Sequence, residues 1–188
     1  AENFTAAIDT AKDIQHSYSK ARALMEIAKA QAQAENFTAA IDTAKDIQDS
    51  YHKARALIEI AKAQAQAGNF TAAIDTAKDI QDSDSKARAL IEIAKAQPTA
   101  ANFTAAIDTA KDIQDSYHKA RALIEIAKAQ PTAANFRAAI DTAKDIQDSY
   151  HKARALIEIA KAQPTAANFR AAIDTAKDIQ DSYHKARA

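Results

Sequence analysis

The chain repeats itself every 33 residues. Phe4, Phe37, Phe70, Phe103, Phe136 and Phe169 each open the stretch Asn-Phe-(Thr/Arg)-Ala-Ala-Ile-Asp-Thr-Ala-Lys-Asp-Ile-Gln, and a Lys-Ala-Arg-Ala stretch follows in every copy. Repeats 1–33, 34–66, 67–99, 100–132 and 133–165 are complete, and 166–188 is truncated. The copies that begin at Ala100 and Ala133 differ only at Thr104 against Arg137. A period of this length marks a stacked-repeat architecture. Such a chain has no single globular centre, because each repeat buries its apolar side on its neighbours and the core runs along the stack.

Helix is the expected element. One glycine (Gly68) and three prolines (Pro98, Pro131, Pro164) are the only strong breakers. Alanine, lysine, glutamine, isoleucine and leucine dominate the rest, and most of these are good helix formers. In the second repeat Phe37, Ala40, Ile41, Ala44 and Ile47 recur at three- and four-residue steps. That spacing places one apolar stripe on a first helix over about 37–48. Asn36 stands before it as the expected N-cap, and Asp49-Ser50 cap a second helix.

The second helix carries Tyr51, Ala54, Leu57, Ile58, Ile60, Ala61 and Ala65, a stripe too wide for one neighbour. It is therefore expected to pack against its own partner and the adjacent repeat. Arg55 and Glu59 are spaced to pair across one turn. Linkers read Gln-Ala-Gly-Asn at Gly68 and Gln-Pro-Thr-Ala-Ala-Asn at the prolines, and both end a helix. Keeping the period through this change matters, since one inserted residue would rotate each later helix by about 100°. Short linkers require consecutive helices to run antiparallel.

These residues resemble the tetratricopeptide repeat. Phe37-x2-Ala40-Ile41-x2-Ala44 follows the pattern W-x2-L-G-x2-Y, Ala54-x3-Ile58 follows A-x3-F, and Pro98, Pro131 and Pro164 fall near the terminal proline of that family. Small and large residues are exchanged at Ala40-Ile41, the aromatic partner is Ala44, and the period is one residue short. The alternative is another α-solenoid of the HEAT or armadillo kind. The resemblance implies an all-α fold: an open right-handed superhelical stack of antiparallel helical hairpins.

It also implies a concave face, lined by first helices, that binds a protein or an extended peptide. Carried onto this sequence, that face holds Thr38, Asp42, Lys45 and Asp46; Thr71, Asp75, Lys78 and Asp79; Thr104, Asp108, Lys111 and Asp112; and Arg137, Asp141, Lys144 and Asp145. Family members that clamp a peptide carboxylate use lysine and asparagine there, which the aspartates contradict. Two carboxylates against one lysine in each repeat favour a basic partner instead. Arg137 and Arg170 soften that preference toward the end of the chain.

Charge and motifs exclude other classes. Lysines plus arginines number 25, as do aspartates plus glutamates, and the signs are interspersed. No electrostatic drive toward nucleic acid or an anionic membrane follows from that balance. Without cysteine there is no disulfide or thiolate site, and no redox compartment is favoured. No apolar run approaches the length of a membrane span. The chain begins inside a repeat at Ala1, with no charged-then-apolar leader, and ends mid-repeat at Ala188, so an excised or assembled array is expected.

Candidate chemistry repeats with the period and is expected to be structural. His52, His118, His151 and His184 share one position, with Ser19 and Ser85 in other copies. Stacked helices stand about 8–10 Å apart, whereas a shared zinc needs each nitrogen at about 2.1 Å. They are expected to be solvated or interface histidines, and His16 a drifted aspartate. Asp42 and Asp46 lie a turn apart, but acid–base work needs a dry pocket.

Tyr18, Tyr51, Tyr117, Tyr150 and Tyr183 are expected to pack on the apolar side. Asp84-Ser85 therefore should mark the weakest repeat, at a cost of about 3 kcal/mol for an enclosed aromatic. No enzyme, metal or cofactor is expected. The functional expectation is a non-catalytic scaffold or protein-binding module, and the alternative is a designed or consensus-like array with no specific ligand. Uncapped ends would add end-to-end self-association.

Overall fold

A computed structural model describes residues 3–96, 100–129, 133–162, and Arg170 and Ile173. Among them every regular element is an α-helix: α1 (Phe4–Lys12), α2 (Ser17–Gln33), α3 (Phe37–Lys45), α4 (Ser50–Gln66), α5 (Phe70–Lys78), α6 (Ser83–Ala96), α7 (Ala100–Ala110), α8 (Ser116–Ala129), α9 (Ala133–Ala143) and α10 (Ser149–Ala162). Odd-numbered helices are the short first helices of each repeat and even-numbered ones the second. The chain divides into two compact halves, Ala1–Ala89 and Leu90–Ala188.

Each half is a stack of helical hairpins. In the first, α1 packs on α2, α2 on α3 and α4, and α4 on α3 and α5. In the second, α7 packs on α8 and α9, and α10 on α8 and α9. The wide apolar stripe of the second helices explains why they touch both their partner and the next repeat. Leu57, Ile58, Ile60 and Ala61 of α4 are all buried, as are Leu123, Ile124, Ile126 and Ala127 of α8. Alanine holds most remaining core positions, which lets the backbones approach closely.

First helices stop earlier than the spacing predicts, at Lys45 rather than Gln48. Ile47 turns inward, its amide donating to the Ala44 carbonyl at 3.2 Å. The Gln48 side-chain amide then donates to the Asp46 carbonyl at 3.4 Å, and Gln15, Gln81, Gln114 and Gln147 repeat that bond. A carbonyl freed by the helix end is thereby satisfied. The turn delivers Asp49 to the N-cap of α4, where its carboxylate accepts from the His52 amide at 2.9 Å. Asp82, Asp115 and Asp148 accept from Ser85, His118 and His151 in the same way.

The expected asparagine cap is only partly present. Asn3 accepts from the Ala6 amide at 3.2 Å, but Asn36 and Asn69 make no side-chain cap bond. Their backbone amides instead close the preceding helices, Asn36 onto the Gln31 carbonyl at 2.9 Å and Asn69 onto Gln64 at 2.8 Å. With Glu35 bonding Ala32 and Gly68 bonding Ala65, each end is a Schellman turn. The turn requires a left-handed residue, and Gly68 supplies it at φ 83°. Glu35 occupies the equivalent place at φ 61°, with the Cβ strain that glycine avoids. The proline linkers lie outside the described residues.

Candidate functional site

The face expected to bind a partner is solvent-accessible at every described position. Thr38, Asp42, Lys45 and Asp46 are exposed, as are Thr71, Asp75, Lys78 and Asp79. Thr104, Asp108, Lys111, Asp112, Arg137, Asp141, Lys144 and Asp145 are exposed too, and so is Arg170. The helix brings aspartate and lysine together at i and i+3. Lys45 reaches Asp42 at 3.3 Å, Lys78 reaches Asp75 at 3.1 Å, Lys111 reaches Asp108 at 2.7 Å and Lys144 reaches Asp141 at 2.9 Å.

A further pair joins successive repeats. Lys12 meets Asp46 at 2.8 Å, and that hydrogen bond, followed by the carboxylate charge, raises the lysine above its ordinary 10.5. Lys111 is raised chiefly by its hydrogen bond to Asp108. Exposed pairs of this kind add little stability and are readily exchanged for pairs with a ligand. In the second to fifth repeats one carboxylate is thus matched by its own lysine, while Lys12 turns to Asp46 of the next repeat, which leaves Asp79, Asp112 and Asp145 to set the sign of the face.

The histidines and tyrosines form an arrangement that the sequence did not disclose. His52 is buried, 3% exposed, with the ring of Tyr18 from the preceding repeat at 4.8 Å and that of Tyr51 at 5.4 Å, both near perpendicular to it. Its Nδ1 lies 2.6 Å from the Asp49 carboxylate. In the second half His151 stands between Tyr117 at 5.6 Å and Tyr150 at 5.1 Å. Its Nδ1 is 2.7 Å from Asp148, although off the line that a hydrogen bond needs. The His52 backbone amide, then its ring, hold Asp49 below its ordinary 3.8, and the His151 amide lowers Asp148.

Several expectations are corrected by this geometry. Tyr18, Tyr51, Tyr117 and Tyr150 lie outward rather than packed on the apolar side, with Tyr18 57% and Tyr51 61% exposed, and Tyr183 and His184 lie outside the described residues. The histidine behind each ring is what occupies the interface. Asp84 therefore does not forfeit an enclosed aromatic, so that cost does not apply. It sits in the first turn of α6, where a carboxylate suits the helix dipole, and lies 4.0 Å from Arg88.

Two smaller readings change as well. His16 caps α2, its ring nitrogen accepting from the Ser19 amide at 3.4 Å, in the role aspartate plays elsewhere. Arg55 turns to Tyr51 instead of Glu59, donating to the tyrosine hydroxyl at 3.4 Å with its guanidinium 5.8 Å from the ring centroid. The signal for the histidine contact was the joint loss of both types at Asp84-Ser85.

Among the described residues no three histidine, aspartate or glutamate side chains gather as a metal site would require. None of the described helices is long and apolar enough to cross a membrane. No family model, curated protein or solved structure matches the chain. The fold and the chemistry of its surfaces therefore carry the functional argument.

Proposed function

We propose that the chain is a non-catalytic helical-repeat scaffold of tetratricopeptide-like type, which binds a protein or an extended peptide along the face of its first helices. The carrying observation is recurrence. Asp42, Asp75, Asp108 and Asp141 stay exposed at one repeat position, each beside a lysine a turn away. An extended ligand meets the same chemistry at each step, which suits a repeated surface. Asp46, Asp79, Asp112 and Asp145 supply the second carboxylate, so the preferred partner is basic. These acids are exposed, whereas a general acid needs a dry site.

A peptide-array pulldown tests this reading. Basic peptides should be retained by the native chain and lost when Asp42, Asp75 and Asp108 are together changed to asparagine. Retention unchanged by the triple substitution would remove the first-helix face from consideration. The near identity of the repeats at Ala100 and Ala133 favours a second reading, a consensus-like array with no specific ligand. An array on which no peptide is retained would select it. End-to-end self-association is a separate proposal, and a strict monomer by light scattering at millimolar concentration would defeat it.

A further inference from the structure

Two grooves recur one repeat apart in the first half of the chain. One, of about 460 Å³, is walled by Tyr18, Leu24, Asp46 and Gln48, among others. The other, of about 480 Å³, has Tyr51, Leu57, Asp79, Ile80 and Ser85 in its walls. The tyrosine, leucine, aspartate and glutamine positions correspond, so this is one feature repeated: a phenol and an apolar floor on one side, carboxylates on the other.

We propose that these grooves take the arginine side chains of a basic extended peptide, with the Tyr51–Asp79 groove the stronger of the two. The inference rests on the peptide-binding reading above and names the side chain that the partner must carry. A guanidinium is planar, stacks on an aromatic face and is matched by a carboxylate at its rim. The molecule itself displays this preference. Arg55 lies over Tyr51, and Arg154 lies over Tyr117 at 6.0 Å. Arg55 is exposed and can move aside for an incoming group.

Three differences favour the second groove. Asp46 in the first is already matched by Lys12 at 2.8 Å, whereas no ion pair holds Asp79 among the described residues. Lys53, the cation in the second groove, is drawn off by donating to the Lys45 carbonyl at 3.3 Å. At the first groove His52 packs against the Tyr18 ring, while Ser85 at the equivalent position leaves Tyr51 without a cross-repeat histidine. Asp82 shapes the rim by capping α6 through the Ser85 amide at 2.7 Å.

Spacing adds a sequence requirement to the ligand. Neighbouring helices stand about 8–10 Å apart, and an extended segment in the polyproline II conformation advances about 3.1 Å per residue and presents the same face every third residue. Two arginines separated by two residues would reach both grooves together. The chemistry therefore selects an Arg-Xaa-Xaa-Arg segment over adjacent arginines.

The test is fluorescence anisotropy on the full chain with labelled Arg-Xaa-Xaa-Arg peptides in a glycine-serine background. Lysine and citrulline versions serve as comparisons. Arginine should bind more tightly than lysine, and citrulline should lose most of the affinity. Tyr51→Leu and Asp79→Asn should each weaken the arginine peptide about three- to tenfold, and Tyr51→Leu should erase the preference over lysine. Circular dichroism of each variant should match the native chain, since both residues are exposed.

An arginine preference untouched by both substitutions would overturn the proposal. Basic peptides bound without arginine preference but sensitive to Asp42→Asn and Asp75→Asn, outside both groove walls, would sink the grooves and leave the first-helix face standing. Failure of every basic peptide to bind would remove both.

Discussion

First helices that follow the two kinds of linker begin at different places relative to the same phenylalanine. At the first kind, α2 and α4 run for 17 residues and end in Schellman turns, and the next helices, α3 and α5, begin at the phenylalanine and last 9. At the second kind, α7 and α9 begin three residues before the phenylalanine and last 11. The first helix thus starts earlier within an unchanged 33-residue register.

Burial follows the junction type. Phe37 and Phe70 are half-buried at the ends of their helices, whereas Phe103 and Phe136 are 2% and 0% exposed. An identical residue in an identical repeat position thus contributes differently, because three residues before it are wound or unwound. The comparison can be broken most directly at this side chain. Phe136→Ala should cost about 3–5 kcal/mol in urea unfolding and Phe37→Ala about half as much. Equal costs would show that the junction does not govern the burial.

Next in size is a buried polar bond at the Gly68 junction. Thr76 donates to Gln64 at 2.8 Å with both side chains buried, while Thr109 turns back to the Ala105 carbonyl of its own helix. Gln64→Ala should cost about 1–3 kcal/mol by orphaning the threonine hydroxyl, and Thr109→Ala clearly less. Thermal melts of the two variants would show it, and the reverse order would refute the distinction.

A smaller effect separates the two Schellman turns. Glu35→Gly should raise stability by about 1 kcal/mol by relieving the left-handed strain, and Gly68→Glu should lower it by a similar amount. No atom stands within 4 Å of a Cβ added at Gly68, so the cost there is conformational rather than steric. Denaturant midpoints of both variants would test this. A gain at Gly68 would contradict it.

Smallest is the acid limb of the caps. Asp49 and Asp148 are held below their ordinary 3.8, so their contribution is present above that value and fades as the pH falls through the lower folded pKa. Melting temperatures of the native chain and Asp49→Asn should differ above pH 4 and converge in stronger acid. Parallel curves down to about pH 2 would show that the carboxylate charge is immaterial.

Much of the fold was legible because periodicity reports local chemistry. The helical stripes of Phe37–Ile47 and Tyr51–Ala65, and the aspartate caps at Asp49, Asp82, Asp115 and Asp148, depend on neighbours within a few residues. The glutamine-closed turn shortened each first helix below what Ile47 implied, since the spacing cannot tell a last helical turn from an inward-pointing residue after it. Tyr18 and His52 lie in different repeats, and no spacing inside one repeat shows which ring faces the interface. The charged face was legible as a row of residues, but its Lys12–Asp46 crossing needed the stack.

Among the described residues the main helix contacts of each half join near neighbours, and that restriction has a kinetic consequence. A contact such as α2 on α4 or α8 on α10 closes a loop about one repeat long, and adding a repeat creates no longer one. Chains with such low contact order tend to fold quickly, and a stack of them can nucleate at more than one place. Lengthening the array would thus extend its surface without slowing the search for its structure.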